Sequence, residues 1–135
     1  MKPTLAELAS ALIAPFEGPP RLTAYQDAGG VWTIGRGHTR GVVKGMVITP
    51  AQSDLYFAED AAPLLTVVER LPLIVAACYV DFGYNVGEGA LARVLNGQDS
   101  LDNPIHTTDR HGIVEPGLVS RRRLEALLIA AASTP

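Results

Sequence analysis

Apolar and polar positions recur along this chain with two different periods, and the period changes near residue 21. Leu5, Leu8, Ala9, Leu12, Ile13 and Phe16 return at spacings of three and four, which is one face of a helix. Thr4 and Glu7 place a T-x-x-E capping box ahead of it. Pro15 removes a backbone donor, so the helix is expected to end near residues 14–16 and to leave Glu17 at its C-terminal edge. From Leu22 to Thr39 the residues favour strand, with Tyr25, Val31, Trp32, Thr33 and Ile34 around a turn at Asp27-Ala28-Gly29-Gly30. Helical signals return at Thr49, Pro50 and Gln52, a capped start with a first-turn proline. Pro63 is expected to kink or end that helix. Pro72 opens LIVAACYVDFGYN, an apolar helix expected at the buried centre and broken up by Gly83, Gly87 and Gly89. Residues 96–115 are polar and irregular. A last helix is expected over 117–132, with Leu118, Leu124, Leu127, Leu128 and Ala131 as its apolar positions. The sum is an α+β chain in one domain. A small β-hairpin lobe covers about 22–45, and a helical lobe takes 1–21 and 46–135.

Composition narrows the class. The chain has 135 residues, enough for one core. With 47% hydrophobic and 19% charged residues it reads as globular rather than disordered. A net charge of −3 argues against nucleic acid, which needs clustered Lys and Arg. The single cysteine, Cys78, lies in an apolar run and reads as a buried, inert thiol. No Cys/His cluster suggests a metal, so none is expected. Pro3 and Glu7 interrupt the apolar N-terminus, so neither a signal peptide nor a membrane span is expected.

Chemistry concentrates early. Glu17, Asp27 and Thr33 lie within seventeen positions, two carboxylates and a hydroxyl around one turn. A carboxylic acid that protonates a leaving oxygen, with a second carboxylate that steers water, is the equipment of glycosidic bond cleavage. A helix C-terminus disfavours negative charge, so an acid kept there calls for a reason. The bland alternatives are a helix-end carboxylate for Glu17, an ordinary turn residue for Asp27 and a good strand former for Thr33.

The stretch FEGPPRLTAYQDAGGVWTIGRGHT, residues 16–39, resembles the catalytic hairpin of phage-type lysozymes, the endolysins of glycoside hydrolase family 24. It carries their Glu-Gly, Tyr-x-Asp and Thr-Ile-Gly-x-Gly-His elements in order. Residues 76–91, AACYVDFGYNVGEGAL, resemble the family's F-N-V-G-x-G-A-F helix end. Residues 116–128, PGLVSRRRLEALL, resemble its G-L-x-x-R-R-x-x-E-x-x-L. Three departures stand out. The Gly18-Pro19-Pro20 spacer is one residue longer, about four residues are missing after Leu91, and the tryptophan and double glycine ahead of the last helix are absent.

The resemblance implies a lysozyme-like α+β fold with a cleft between its lobes, and a muramidase. Such an enzyme cuts the β-1,4 bond between N-acetylmuramic acid and N-acetylglucosamine in a peptidoglycan glycan strand, without a cofactor. Glu17 becomes the proton donor, and Asp27 and Thr33 hold water or stabilise the oxocarbenium-like sugar. Thr39, Tyr84, Asn85 and Arg121 become substrate-binding positions, with Arg121 near Glu17. Arg122 and Arg123 are expected at the surface. His38 is expected to hydrogen-bond Asp60 and so tie the hairpin to the following helix. Trp32 is expected to pack the hairpin. Synthesis in the host cytoplasm, action on the wall outside it, a separate holin-type membrane protein for access, and a monomer follow from the same resemblance. A lytic transglycosylase and a catalytically dead wall-binding module remain the alternatives.

Overall fold

Both capping boxes form in the computed structural model, which describes residues 1–133 and leaves the last two residues of the expected domain outside. The Thr4 N–H donates to Glu7 Oε2 at 2.8 Å, and the Glu7 N–H returns to Thr4 Oγ1 at 3.2 Å. Helix α1 then runs Leu5–Glu17. Thr49 and Gln52 repeat the exchange at 2.8 and 3.1 Å ahead of helix α2, Pro50–Val68. Each box satisfies two amides that a helix start would otherwise leave without partners. Pro63 does not end α2, contrary to expectation. It is exposed, so the carbonyl left without its amide partner can turn to water.

Between these helices lie strands β1, Arg21–Gln26, and β2, Trp32–Gly35, antiparallel. After α2 come α3, Leu73–Val86, α4, Glu88–Leu95, a 3-10 turn Pro104–Thr107, and α5, Pro116–Ala132. Of the three glycines expected to break the apolar helix, only Gly87 does so. Gly83 sits inside α3, where an added Cβ would come within 2.8 Å of both Leu64 and Leu91. Here the glycine permits close packing rather than a bend.

The chain forms two compact units, Met1–Phe16 with Pro63–Pro135 and Glu17–Ala62. The hairpin unit is therefore larger than the expected 22–45. Its core is Ile34, Val42 and Ile48, with Leu22, Ala24, Trp32, Met46 and Tyr56 packed against it. Tyr56 comes from α2, so the first part of that helix belongs with the hairpin. Trp32 packs as expected. Gly35, at φ +65°, lets β2 approach buried Ser53 of α2, whose Oγ would lie 3.0 Å from an added Cβ.

In the other unit α3 packs on α5 and α4, and the 3-10 turn packs on α5. The residues buried along α3 run from Val75 to Gly83 with only Tyr79 left half-buried, and Cys78 is fully enclosed. Burial pushes its thiol up to about 12, which leaves it unreactive near neutrality. The polar stretch 96–115 is held by its own side chains. His106 is buried, bonds Asp99 at 2.9 Å through Nε2 and meets Phe82 edge-on. The Asn103 amide and the Ser100 N–H hold the Asp99 carboxyl down at about 2.

The buried face of α5 corrects the expected pattern. Leu124 and Leu127 are exposed, whereas Arg121, Arg122 and Glu125 are buried. Arg122, expected at the surface, is 5% exposed, donates to Glu125 Oε1 at 2.7 Å and lies over the Phe82 ring. Arg121 grips Asp81 of α3 through Nε, at 3.2 and 3.1 Å, and Nη2, at 2.8 Å. Burial pushes the Glu125 carboxyl up to about 9, and its hydrogen bond with Asp81 adds to the rise. The folded chain thus holds a proton that the unfolded chain releases near 4.5. Stability from this group is complete below that value and is lost as pH rises toward 9. Glu125→Gln removes the titration. The melting-temperature advantage of wild type over this variant is expected to shrink from about pH 5 to about pH 9, and parallel curves would overturn the assignment.

Candidate active site

The turn between β1 and β2 orients two of the expected side chains through one residue. Asp27 Oδ1 accepts from the Gly29 N–H at 2.8 Å and from the Val31 N–H at 2.9 Å, while the Asp27 N–H donates to Val31 O at 2.9 Å. The Thr33 hydroxyl donates to the same Val31 carbonyl at 2.9 Å. Val31 therefore fixes both side chains. Asp27 keeps Oδ2 outside the turn's bonding. Thr33, 4% exposed, has spent its only proton and keeps acceptor lone pairs. Tyr25 pairs with Thr33 and Gln26 with Trp32, while a bulge interrupts the register between Arg21 and Tyr25. Residues 46–48 extend the sheet on the other side of β1, through Ala24 N–H to Met46 O and Ile48 N–H to Leu22 O, both at 2.9 Å.

Glu17 is the final residue of α1 and is half-buried. Gly18, at φ +74°, turns the chain out of the helix at once, a conformation that favours glycine. The last turn of α1 contains no basic residue.

His38 is occupied on every side. Its Nδ1 lies 2.9 Å from Asp60 Oδ2 and 3.1 Å from Oδ1, its Nε2 lies 2.8 Å from Arg40 O, and its ring stacks on Tyr56 at 4.0 Å. A carbonyl can only accept, so Nε2 carries a hydrogen. The ring joins the end of the hairpin to α2.

A family model described as phage lysozyme matches residues 14–125. The chain belongs to the phage lysozyme family. The endolysin of Acyrthosiphon pisum secondary endosymbiont phage 1 is 32% identical, over 95% of this chain and 99% of that protein. Among solved structures, the muramidase domain of SpmX from Asticaccaulis excentricus is 26% identical with a TM-score of 0.74, covering 99% of this chain and 100% of that one. The endolysin of Escherichia coli O157:H7 phage FAHEc1 is 25% identical with a TM-score of 0.72, covering 100% and 98%. The active form of P1 phage endolysin Lyz shares the fold, with a TM-score of 0.73 at 20% identity over 95% and 85%. The fold is lysozyme-like and α+β, and the protein is a glycoside hydrolase of peptidoglycan.

The matched span contains Glu17, Asp27 and Thr33, all in the hairpin unit. Thr39 is exposed there, and its carbonyl accepts from the Val42 N–H at 3.2 Å. Tyr84 and Asn85 lie at the end of α3 in the other unit, both half-buried. Asn85 lines a depression of about 520 Å³ with Arg93, Asp99, Asn103 and His106. Arg121, expected to face substrate, is 3% exposed, bound by Asp81 and placed 5.0 Å from the Phe16 ring centre. Among the described residues no group of three His, Cys, Asp or Glu side chains is placed to hold a metal.

Sequence reading missed Asp81, Glu125 and the burial of Arg122. Their signal was present as spacing: Leu118, Arg121, Arg122 and Glu125 follow the three-and-four rhythm of one helix face.

Proposed function

We propose that Glu17 donates the proton to the glycosidic oxygen between N-acetylmuramic acid and N-acetylglucosamine, and that Asp27 and Thr33 hold the attacking water. The observation that carries this reading is the shared anchoring on Val31. Asp27 keeps one carboxylate oxygen and Thr33 keeps hydroxyl lone pairs, so two acceptors remain. A water molecule has two hydrogens to give. Bound to both acceptors, it would turn its lone pair toward the anomeric carbon, while the Asp27 charge supports the positive character that develops there. Glu17 suits the donor role because the helix end leaves its carboxylate without dipole support. Thr39, Tyr84 and Asn85 are read as contacts to the glycan strand.

The same reading has the enzyme act as a monomer, made in the host cytoplasm and admitted to the wall by a separate holin-type membrane protein. No described helix is long and apolar enough to cross a membrane.

Digestion of purified peptidoglycan followed by mass spectrometry tests the chemistry. Hydrolysis should leave reducing-end N-acetylmuramic acid carrying one oxygen from solvent, visible as a two-dalton shift when the digest is run in ¹⁸O-water. A 1,6-anhydro product would instead identify a transglycosylase and remove the water-holding role of Asp27 and Thr33.

A further inference from the structure

The end of α1 is short of local restraint. Pro15 has no N–H to return to the helix, no basic residue closes the last turn, and Gly18 leaves at positive φ. That helix end carries Glu17. The residue before it, Phe16, borders a depression of about 370 Å³ together with Glu115, Gly117, Leu118 and Arg121. The Phe16 ring is half-buried. What meets it is the Arg121 guanidinium, 5.0 Å from the ring centre. A cation facing an aromatic ring out of bulk water is a directional contact.

That guanidinium is itself held. Asp81 accepts three hydrogen bonds from it at 2.8 to 3.2 Å, and both residues are almost fully buried. A bidentate grip of this kind sets the plane of an arginine, which lysine could not reproduce. Asp81 belongs to α3, the most enclosed helix of its unit. A series of contacts therefore runs from the buried centre through Asp81 and Arg121 to Phe16, the residue that precedes Glu17.

We propose that Asp81 is a positioning residue: by clamping Arg121 against Phe16 it fixes the last turn of α1 and thereby the direction of the Glu17 side chain. The inference rests on Glu17 being the proton donor. Asp81 touches no reacting group, so its effect passes through geometry. A displacement of about 1 Å at a reacting group can cost on the order of 100-fold in rate.

The test uses the whole enzyme on soluble glycan oligomers, so that kcat and KM are read separately. Phe16→Leu removes the ring and is expected to lower kcat about tenfold with KM nearly unchanged, and to move the limb of the pH–kcat profile that reports the proton donor. Phe16→Tyr keeps the ring and is expected to retain both. Asp81→Asn is expected to act like Phe16→Leu, and the double variant should be no slower than the slower single. Wild-type kcat and pH profile in folded Phe16→Leu, failure of Phe16→Tyr to restore them, or multiplicative losses in the double variant would each overturn the clamp. If Asp81→Asn does not fold, the Phe16 pair decides alone. Glu17→Gln is run beside them. Retained activity there removes the donor assignment, whereas activity lost there but unchanged in the Phe16 series removes only the clamp.

Discussion

Glu17→Gln is expected to lower wall lysis below about 1% of wild type while leaving the melting temperature nearly unchanged. The substitution keeps shape and polarity and removes the acidic proton. General acid catalysis contributes on the order of 10² to 10⁴ in rate. Asp27 has one oxygen committed to its turn, and Asp60 is occupied by His38. Clearing of outer-membrane-permeabilised cells measures the activity. More than a few percent of wild-type lysis in Glu17→Gln would sink the assignment.

Asp27→Asn is expected to cost at least tenfold in activity, and Asp109→Asn nothing. The molecule supplies this comparison itself. Asp109 makes the same turn: its N–H donates to Ile113 O at 2.8 Å, the Gly112 N–H returns to Asp109 O at 3.0 Å, and Oδ1 accepts from the His111 and Ile113 N–H groups at 2.8 and 3.0 Å. Asp27 does each of these with Val31, Gly30 and Gly29. The turn uses one side-chain oxygen, which Asn also provides, so both variants should melt close to wild type. Only a role for the second oxygen or for the charge can separate them. Equal activities would reduce Asp27 to a turn residue. Asp81 and Asp99 make poor comparators, since one is buried on Arg121 and the other is fixed by Asn103, Ser100 and His106.

That comparison also marks how far sequence reading reaches. Asp27-Ala28-Gly29-Gly30 and Asp109-Arg110-His111-Gly112 give turns of one geometry, so the local pattern alone could not distinguish a catalytic turn from a structural one. What singled out the first was its place in an ordered set of motifs. The helix starts were legible for a different reason: a capping box is a contact between residues three apart, complete in the local chain. The ends of the helices were less so. Whether Pro63 or Gly83 interrupts a helix depends on what surrounds it, and at Gly83 the neighbours are Leu64 and Leu91, distant in sequence.

Local residue patterns were enough for the two capped helices, the hairpin with its Asp-led turn, the enclosed apolar helix, and the order of Glu17, Asp27 and Thr33. Each depends on local backbone chemistry or on the periodicity of one segment. Packing between distant segments is what makes α5 bury Arg121, Arg122 and Glu125 while exposing Leu124 and Leu127. Hydrophobicity marks the buried face of a helix only when its partner face is apolar. Here α3 offers Asp81 and Phe82, so charge and ring faces meet guanidinium groups, and each buried guanidinium donates to a carboxyl group, forty residues away in the chain or three along the same helix.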